Sequence, residues 1–184
     1  MLSNISKNKN QFKLYNNKRK GLGGAINEGI NNSTEELICI MMSDLSDSID
    51  DLKKYYDIMK NENIDAVFGS RFIIPKDALK GGMPLNRYFG NRVVTFIQNF
   101  IVGTKMTEFH SGYRSYKINV IKKINFEKNT NDFHFDTEII IQMSKLNYLI
   151  KEIPIATIYA DEESNLKPVP YGINVLLSTI KYKF

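Results

Sequence analysis

The chain has 184 residues, 42% of them hydrophobic, with 25 lysines and arginines against 20 acids, a net charge of +5 and one cysteine. That is length enough for one domain with a proper core, while no apolar stretch approaches the roughly 20 residues that cross a bilayer and a lone cysteine excludes an internal disulfide. The charge sits at the front: Lys7, Lys9, Lys13, Lys18, Arg19 and Lys20 precede the first acid, Glu28, and 25 basic residues less these six leaves 19 against 20 acidic.

The body is therefore close to neutral. The first twenty residues read as a solvated basic leader without a signal sequence, so the expected location is cytoplasmic. No base-stacking aromatics or nucleic-acid motif accompany the leader, and no nucleic-acid partner is expected.

In chain order, residues 11–15 suggest a short strand, and Gly21-Leu22-Gly23-Gly24 opens a helix over residues 25–31. Six apolar residues, Leu37 to Met42, then end abruptly in Ser43-Asp44. Such a run predicts a strand buried on both faces, as in a largely parallel sheet flanked by helices, with Cys39 a small buried hydrophobe.

Residues 48–61 form an amphipathic helix pattern with Ile49, Leu52, Tyr55, Tyr56 and Met59 on one side, followed by a strand at residues 66–68 that closes in Gly69-Ser70-Arg71. Gly81-Gly82-Met83-Pro84 breaks the chain before a long helix over residues 86–101. Residues 111–117 look extended, residues 136–146 helical, and residues 150–159 alternate as a strand in which Pro154 indicates an edge or a bulge. A polar loop over residues 160–170 leads into a last helix from residue 171 to residue 184. The order β-α-β-α-β predicts an α/β fold, with no internal repeat or domain boundary.

Polar residues gather at the ends of these strands, where ligands of α/β sheets bind. Asp44 is placed to give a hard oxygen to a divalent cation, and Asp47 stands close behind, either as a second ligand or as the cap of the next helix. Gly21 and Gly23 let a backbone approach a phosphate at a helix N-terminus, or make a plain tight turn. Arg71 offers forked donors to a diphosphate, its alternative being a surface ion pair.

Residues 107–114 put Glu108, His110, Ser111 and Arg114 within one short segment. Glu108 is a candidate proton acceptor, with His110 to orient it or to pack structurally. His134, between Phe133 and Phe135, reads as packing, and Lys167 in the polar loop would meet a phosphate or simply be solvated.

Seven stretches, GLGGAINEGI (21–30), MMSDLSD (41–47), DAVFGSRF (65–72), GGMPLNRYFGNR (81–92), TEFHSGYRSY (107–116), FHFDTEI (133–139) and EIPIATIY (152–159), resemble in order and spacing the family 2 glycosyltransferases, particularly the bacterial branch akin to dolichol-phosphate mannose synthase. The resemblance implies a GT-A, Rossmann-like fold and an inverting transfer of a sugar from a nucleotide-sugar donor, with Mg or Mn as cofactor. It implies an acceptor that is a lipid phosphate or a glycan of the cell envelope, met at the inner face of the membrane by peripheral contact.

In that frame Asp44 matches the last acid of the family's Asp-x-Asp metal motif, with Met42 in place of the first. Arg71 and Arg114 would neutralise the diphosphate leaving group, and Glu108 would act as base or position the acceptor. The family's opening strands have no counterpart in residues 1–20, so the sequence reads as an incomplete domain: a leader (1–20), a metal and diphosphate half (21–72) and an acceptor half with the last helix (73–184). A partner chain supplying the remainder, a non-catalytic remnant of the same fold and a basic nucleic-acid binder are the alternatives it leaves.

Overall fold

The computed structural model describes residues 15, 17–42, 47–156 and 168–183. The apolar run becomes β1 (Leu37–Ile40), and its alternation divides it between two cores. Ile38 and Ile40 join a cluster with Ile26 and Ile30 of α1 (Leu22–Asn32) and Ile139, Ile140 and Met143 of α6 (Phe135–Lys145). Leu37, Cys39 and Met41 face the opposite side, against Tyr55 and Met59 of α2 (Ile49–Asn61). One strand is thus covered on both faces, giving three layers.

The sheet order is β1-β3-β2-β4, with β2 (Ala66–Ser70), β3 (Arg114–Lys117) and β4 (Ile150–Pro154). Here the structure corrects the expectation of a largely parallel sheet: β3 runs antiparallel to both β1 and β2, with Ile40 and Phe68 each opposite Arg114, and only β2 and β4 are parallel. The reason is the path of the chain. The segment before β3 lies at the carboxyl ends of its neighbours, where the Tyr113 carbonyl accepts from the Gly69 amide, so the chain enters the sheet heading back along them. Pro154 closes β4 at the edge of the sheet, as a residue without an N–H should.

Helices fall within one to three residues of the predicted spans, and the extra pieces are short ones that carry no period: α3 (Pro75–Lys80), α5 (Ile118–Ile121) and a 3-10 turn at Phe126–Lys128. Ser48, not Asp47, caps α2, its hydroxyl accepting from the Asp50 amide at 3.2 Å.

Two helices complete the described chain, α4 (Leu85–Val102) and α7 (Pro168–Lys183), packed on one another, with α7 also against α6. Their polarity is inverted. The buried positions are Thr95, Gln98 and Val102 on α4 and Val175, Ser178 and Thr179 on α7, whereas Leu85, Phe89, Val93, Phe96 and Phe100 form an outward stripe on α4, and Val169, Ile173, Leu177 and Ile180 one on α7. Neither helix contains an acidic residue.

Candidate functional site

The end of β2 delivers Arg71 from a strand that is buried throughout. Its backbone N–H donates to Glu108 Oε2 at 2.8 Å and its Nε to Glu108 Oε1 at 2.9 Å, with Nη2 also on Oε1. Glu108 is 2% exposed, and both of its oxygens are occupied by Arg71. A buried carboxylate paired this way fixes a guanidinium; it is not presented to an acceptor hydroxyl, as a base would have to be.

Glu108 is itself held from behind. The Glu152 carboxylate of β4 accepts from the Thr107 amide at 2.7 Å, the Thr107 hydroxyl at 2.9 Å and the Glu108 amide at 3.0 Å. Burial raises the Glu152 carboxyl above the ordinary range, and the Thr107 and Glu108 donors pull against that rise.

Arg114 is enclosed in the core. It is 1% exposed, lies over the Phe68 ring at 4.7 Å, and donates to the carbonyls of Ser111 (2.6 Å), Phe109 (2.7 Å) and Asp136 (3.4 Å). Those first two carbonyls flank His110, so Arg114 shapes the turn that presents the imidazole. His110 in turn meets α7, its Nδ1 lying 3.0 Å from the Tyr171 hydroxyl, with no hydrogen bond to Glu108 among those of the described residues. Burial, then the Arg71 and Arg114 charges, push the His110 pKa down to about 3, so the ring is neutral at physiological pH.

Arg71 and His110 come together in a cleft of about 430 Å³ between the end of β2 and helices α4 and α7. Asn86, Arg87, Gly90, Asn91 and Val94 line it from α4, and Pro168, Val169, Tyr171 and Gly172 from α7. Among these described residues none is acidic and two are arginines, a lining that suits an anion. Glu152, Arg87 and Tyr171 are the positions sequence reasoning missed. Glu152 carried a signal, as an acid inside an alternating apolar strand, whereas Arg87 and Tyr171 had none beyond a helix face.

The remaining candidates lie elsewhere. Gly21, at φ +88°, and Gly23 approach backbone closely, but it is their own chain's: a side chain at either would strike the carbonyl of Asn131 or of Thr130, and the Gly24 amide already donates to Asn131. The space a phosphate would need is filled, so the plain tight turn is what the structure shows. Asp47 uses Oδ2 to accept from the Met42 amide at 2.8 Å, bracing the end of β1. Asp44, Lys167 and residues 1–14 lie outside the described residues. Among the described residues no three acid, histidine or cysteine side chains converge as a metal site.

Comparison with known proteins gives this geometry a context. Residues 1–125 match the family model described as Glycosyl transferase family 2, a match that includes the leader where no family motif was read. An uncharacterized protein of Methanocaldococcus jannaschii is 30% identical over 168 residues, 89% of this chain and 68% of that protein. A UDP-N-acetylglucosamine–dolichyl-phosphate N-acetylglucosaminyltransferase of Methanococcus voltae is 27% identical over 80% of this chain and 59% of its own length. Among solved structures, glucosyl-3-phosphoglycerate synthase of Mycobacterium tuberculosis in complex with UDP aligns with a TM-score of 0.66 at 12% identity, over 90% of this chain and 56% of that one. The same enzyme in complex with Mn2+, UDP-glucose and phosphoglyceric acid aligns at 0.65 and 12% identity, over 97% and 59%. The chain spans little more than half the length of these enzymes, and the structural likeness establishes the fold.

Proposed function

The chain belongs to the family 2 glycosyltransferases, and from that membership we propose that it binds the acceptor of a sugar transfer from a nucleotide-sugar donor, the acceptor being a lipid phosphate. The observation that carries this is the cleft: two arginines, a neutral imidazole, and among its described lining no carboxylate. A neutral hydroxyl acceptor would need a base as its proton leaves. Glu108 is turned away into its ion pair, and an imidazole with a pKa near 3 is a poor base. An anionic oxygen needs none.

In the transfer, a phosphate oxygen of the acceptor attacks the anomeric carbon of the donor sugar. The bond from that carbon to the diphosphate breaks, the nucleoside diphosphate leaves with the electron pair, and one displacement inverts the anomeric centre. Arg71, oriented by Glu108, and Arg87 offset the charge of the acceptor phosphate and hold it in line. The Methanococcus relative, which acts on dolichyl phosphate, supports this acceptor class. A divalent cation, Mg or Mn, at Asp44 with Asp47 belongs to the proposal. It rests on the sequence position of Asp44 and on Mn2+ in the mycobacterial complexes, and the described residues contribute only Asp47.

The inverted polarity of α4 and α7 extends the reading. Their apolar stripes run along α4 from Leu85 and Phe89 to Phe100, 84% exposed, and along α7 from Val169, which also lines the cleft. Arg87, Arg92, Lys181 and Lys183 are the only charges on the two helices. An acid-free apolar face with basic residues suits an anionic bilayer surface, where a lipid phosphate would enter the cleft head first. No described helix is long and apolar enough to cross a membrane.

The test is calorimetric titration of the protein with farnesyl phosphate and with inorganic phosphate, followed by transfer assays with a panel of UDP- and GDP-sugars and analysis of the product anomer. Farnesyl phosphate is expected to bind, and Arg71→Met and Gly172→Leu to abolish or greatly weaken binding. Gly172 faces open space, with Val94 Cγ2 at 4.0 Å from where a side chain would start, so leucine there fills the cleft without strain. A protein that binds neither phosphate, or binds equally well after both substitutions, overturns the reading.

A further inference from the structure

Resting on the phosphate reading of the cleft, we propose that His110 is a neutral hydrogen-bond donor to the acceptor phosphate through Nε2–H, and that Tyr171 fixes it in that tautomer. The two ring nitrogens have different surroundings. Nδ1 lies 3.0 Å from the Tyr171 hydroxyl, whereas Nε2 is shielded from solvent and has no hydrogen-bond partner among the described residues. A neutral imidazole carries one proton, so the direction of the Tyr171 bond decides which nitrogen holds it.

Chemistry favours one direction. A phenol is a good donor and a poor acceptor, since its oxygen lone pair is conjugated into the ring, while an unprotonated imidazole nitrogen accepts strongly. Burial also raises the Tyr171 pKa, so the phenol keeps the proton it donates. The bond therefore runs from Tyr171 O–H to Nδ1, the ring proton sits on Nε2, and the lone pair a base would need is already used.

That leaves a buried N–H without an acceptor among the described residues, on a side chain that lines the same cleft as Arg71. A buried donor without an acceptor is costly, and an anionic oxygen would satisfy it. Arg114 holds the backbone on either side of His110 through the carbonyls of Phe109 and Ser111, and the Tyr171 contact holds the ring. His110 would thus supply one directed, uncharged hydrogen bond beside the guanidinium, and Tyr171 is its positioning residue. The contact also gives α7 a direct part in acceptor binding, since Tyr171 is on that helix and His110 is not.

The chain has two histidines, which makes the assignment measurable. In protein labelled with 15N-histidine and 15N-arginine, His134→Gln identifies the His110 signals and Arg71→Met the Arg71 signals, and the expected histidine spectrum is that of the Nε2–H tautomer. Inorganic phosphate, then farnesyl phosphate, should shift both the His110 Nε2 signal and the Arg71 guanidinium signals. Tyr171→Phe should give mixed tautomers. It should also weaken the phosphate probe by about twofold, the inverse of the donor-competent fraction in an even mixture, whereas His110→Phe, which removes the donor, should cost about tenfold.

His110→Gln, which keeps a donor, should retain more affinity than His110→Phe. An Nδ1–H tautomer in the parent protein overturns the proposal, as does a His110 signal that stays still while Arg71 responds. If neither residue responds to either phosphate, the acceptor reading falls and this inference falls with it.

Discussion

Glu108→Gln separates a counter-ion from a base. In the structure both carboxylate oxygens accept from Arg71, the side chain has no exposure, and the Arg71 side chain is 19% exposed. Removing one partner of a buried pair costs about 3–5 kcal/mol, and because the amide keeps one acceptor oxygen the expected loss is about 2–3 kcal/mol. For a domain of this length that lowers Tm by about 4–12 °C. A cycle with Arg71→Met should show coupling of about 1–3 kcal/mol, because the second substitution removes the charge that the first left stranded.

Urea unfolding followed by circular dichroism measures the first quantity, and the same measurement on both single variants and the double variant gives the second. Turnover per folded molecule should fall by less than about a hundredfold, the lower bound for loss of a general base. Unchanged stability with coupling near zero and turnover reduced a hundredfold or more would refute the counter-ion assignment and restore Glu108 as base.

Other consequences are as direct. The His110 pKa is depressed, so the unfolded chain takes up a proton that the folded one refuses. Stability is full above about pH 6.5 and falls by about 1.4 kcal/mol per unit as pH drops from there toward about 3, and His110→Gln should flatten the urea midpoint against pH by one proton. Gly23→Ala should destabilise by about 1–3 kcal/mol, since its side chain would lie 2.8 Å from both the Asp132 carbonyl oxygen and Phe135 Cβ; a neutral result would mean the turn is open to a ligand after all. Phe96 and Phe100 are 73% and 84% exposed, so changing both to Asp should move stability by about 0.5 kcal/mol or less each while abolishing sedimentation with phosphatidylglycerol vesicles. Equal sedimentation of parent and variant would remove the membrane-facing role of α4 and α7.

The local part of the fold was legible because it is written in short-range periods. Alternation in Leu37 to Met42 is a consequence of which faces are covered and recurs in the structure, whereas of Ile49, Leu52, Tyr55, Tyr56 and Met59 only Tyr55 and Met59 are buried, and Ile49 and Tyr56 are exposed at the margin of that face. Strand direction is not local. Nothing in Arg114–Lys117 says that it runs against its neighbours, which depends on the path of the preceding segment at the far end of the sheet.

The site divides along the same line. Arg71 was readable as the residue that ends a buried strand. Arg114 was not, since an arginine in the core and an arginine at a ligand have the same sequence signature until Phe109, Ser111 and Asp136 are seen to take its hydrogen bonds. Glycines at 21 and 23 announce close approach without saying to what, and the answer was the segment around Thr130 and Asn131, over a hundred residues away.

That displacement of acids from the cleft follows from its charge. A carboxylate facing an anionic ligand would repel it, whereas one placed a layer behind an arginine offsets the cost of burying the guanidinium and fixes its orientation. Glu108 stands behind Arg71 in this way, and Glu152 stands behind Glu108 through the amides of residues 107 and 108. On the other wall Arg114 performs the same service for His110 through carbonyls. Arg71 and the backbone on either side of His110 are thus held from behind, so that both are positioned before binding. Substitutions at Glu152 or Arg114 should therefore loosen acceptor binding without touching the acceptor, with Glu152→Ala losing phosphate affinity in parallel with a broadened Arg71 guanidinium signal.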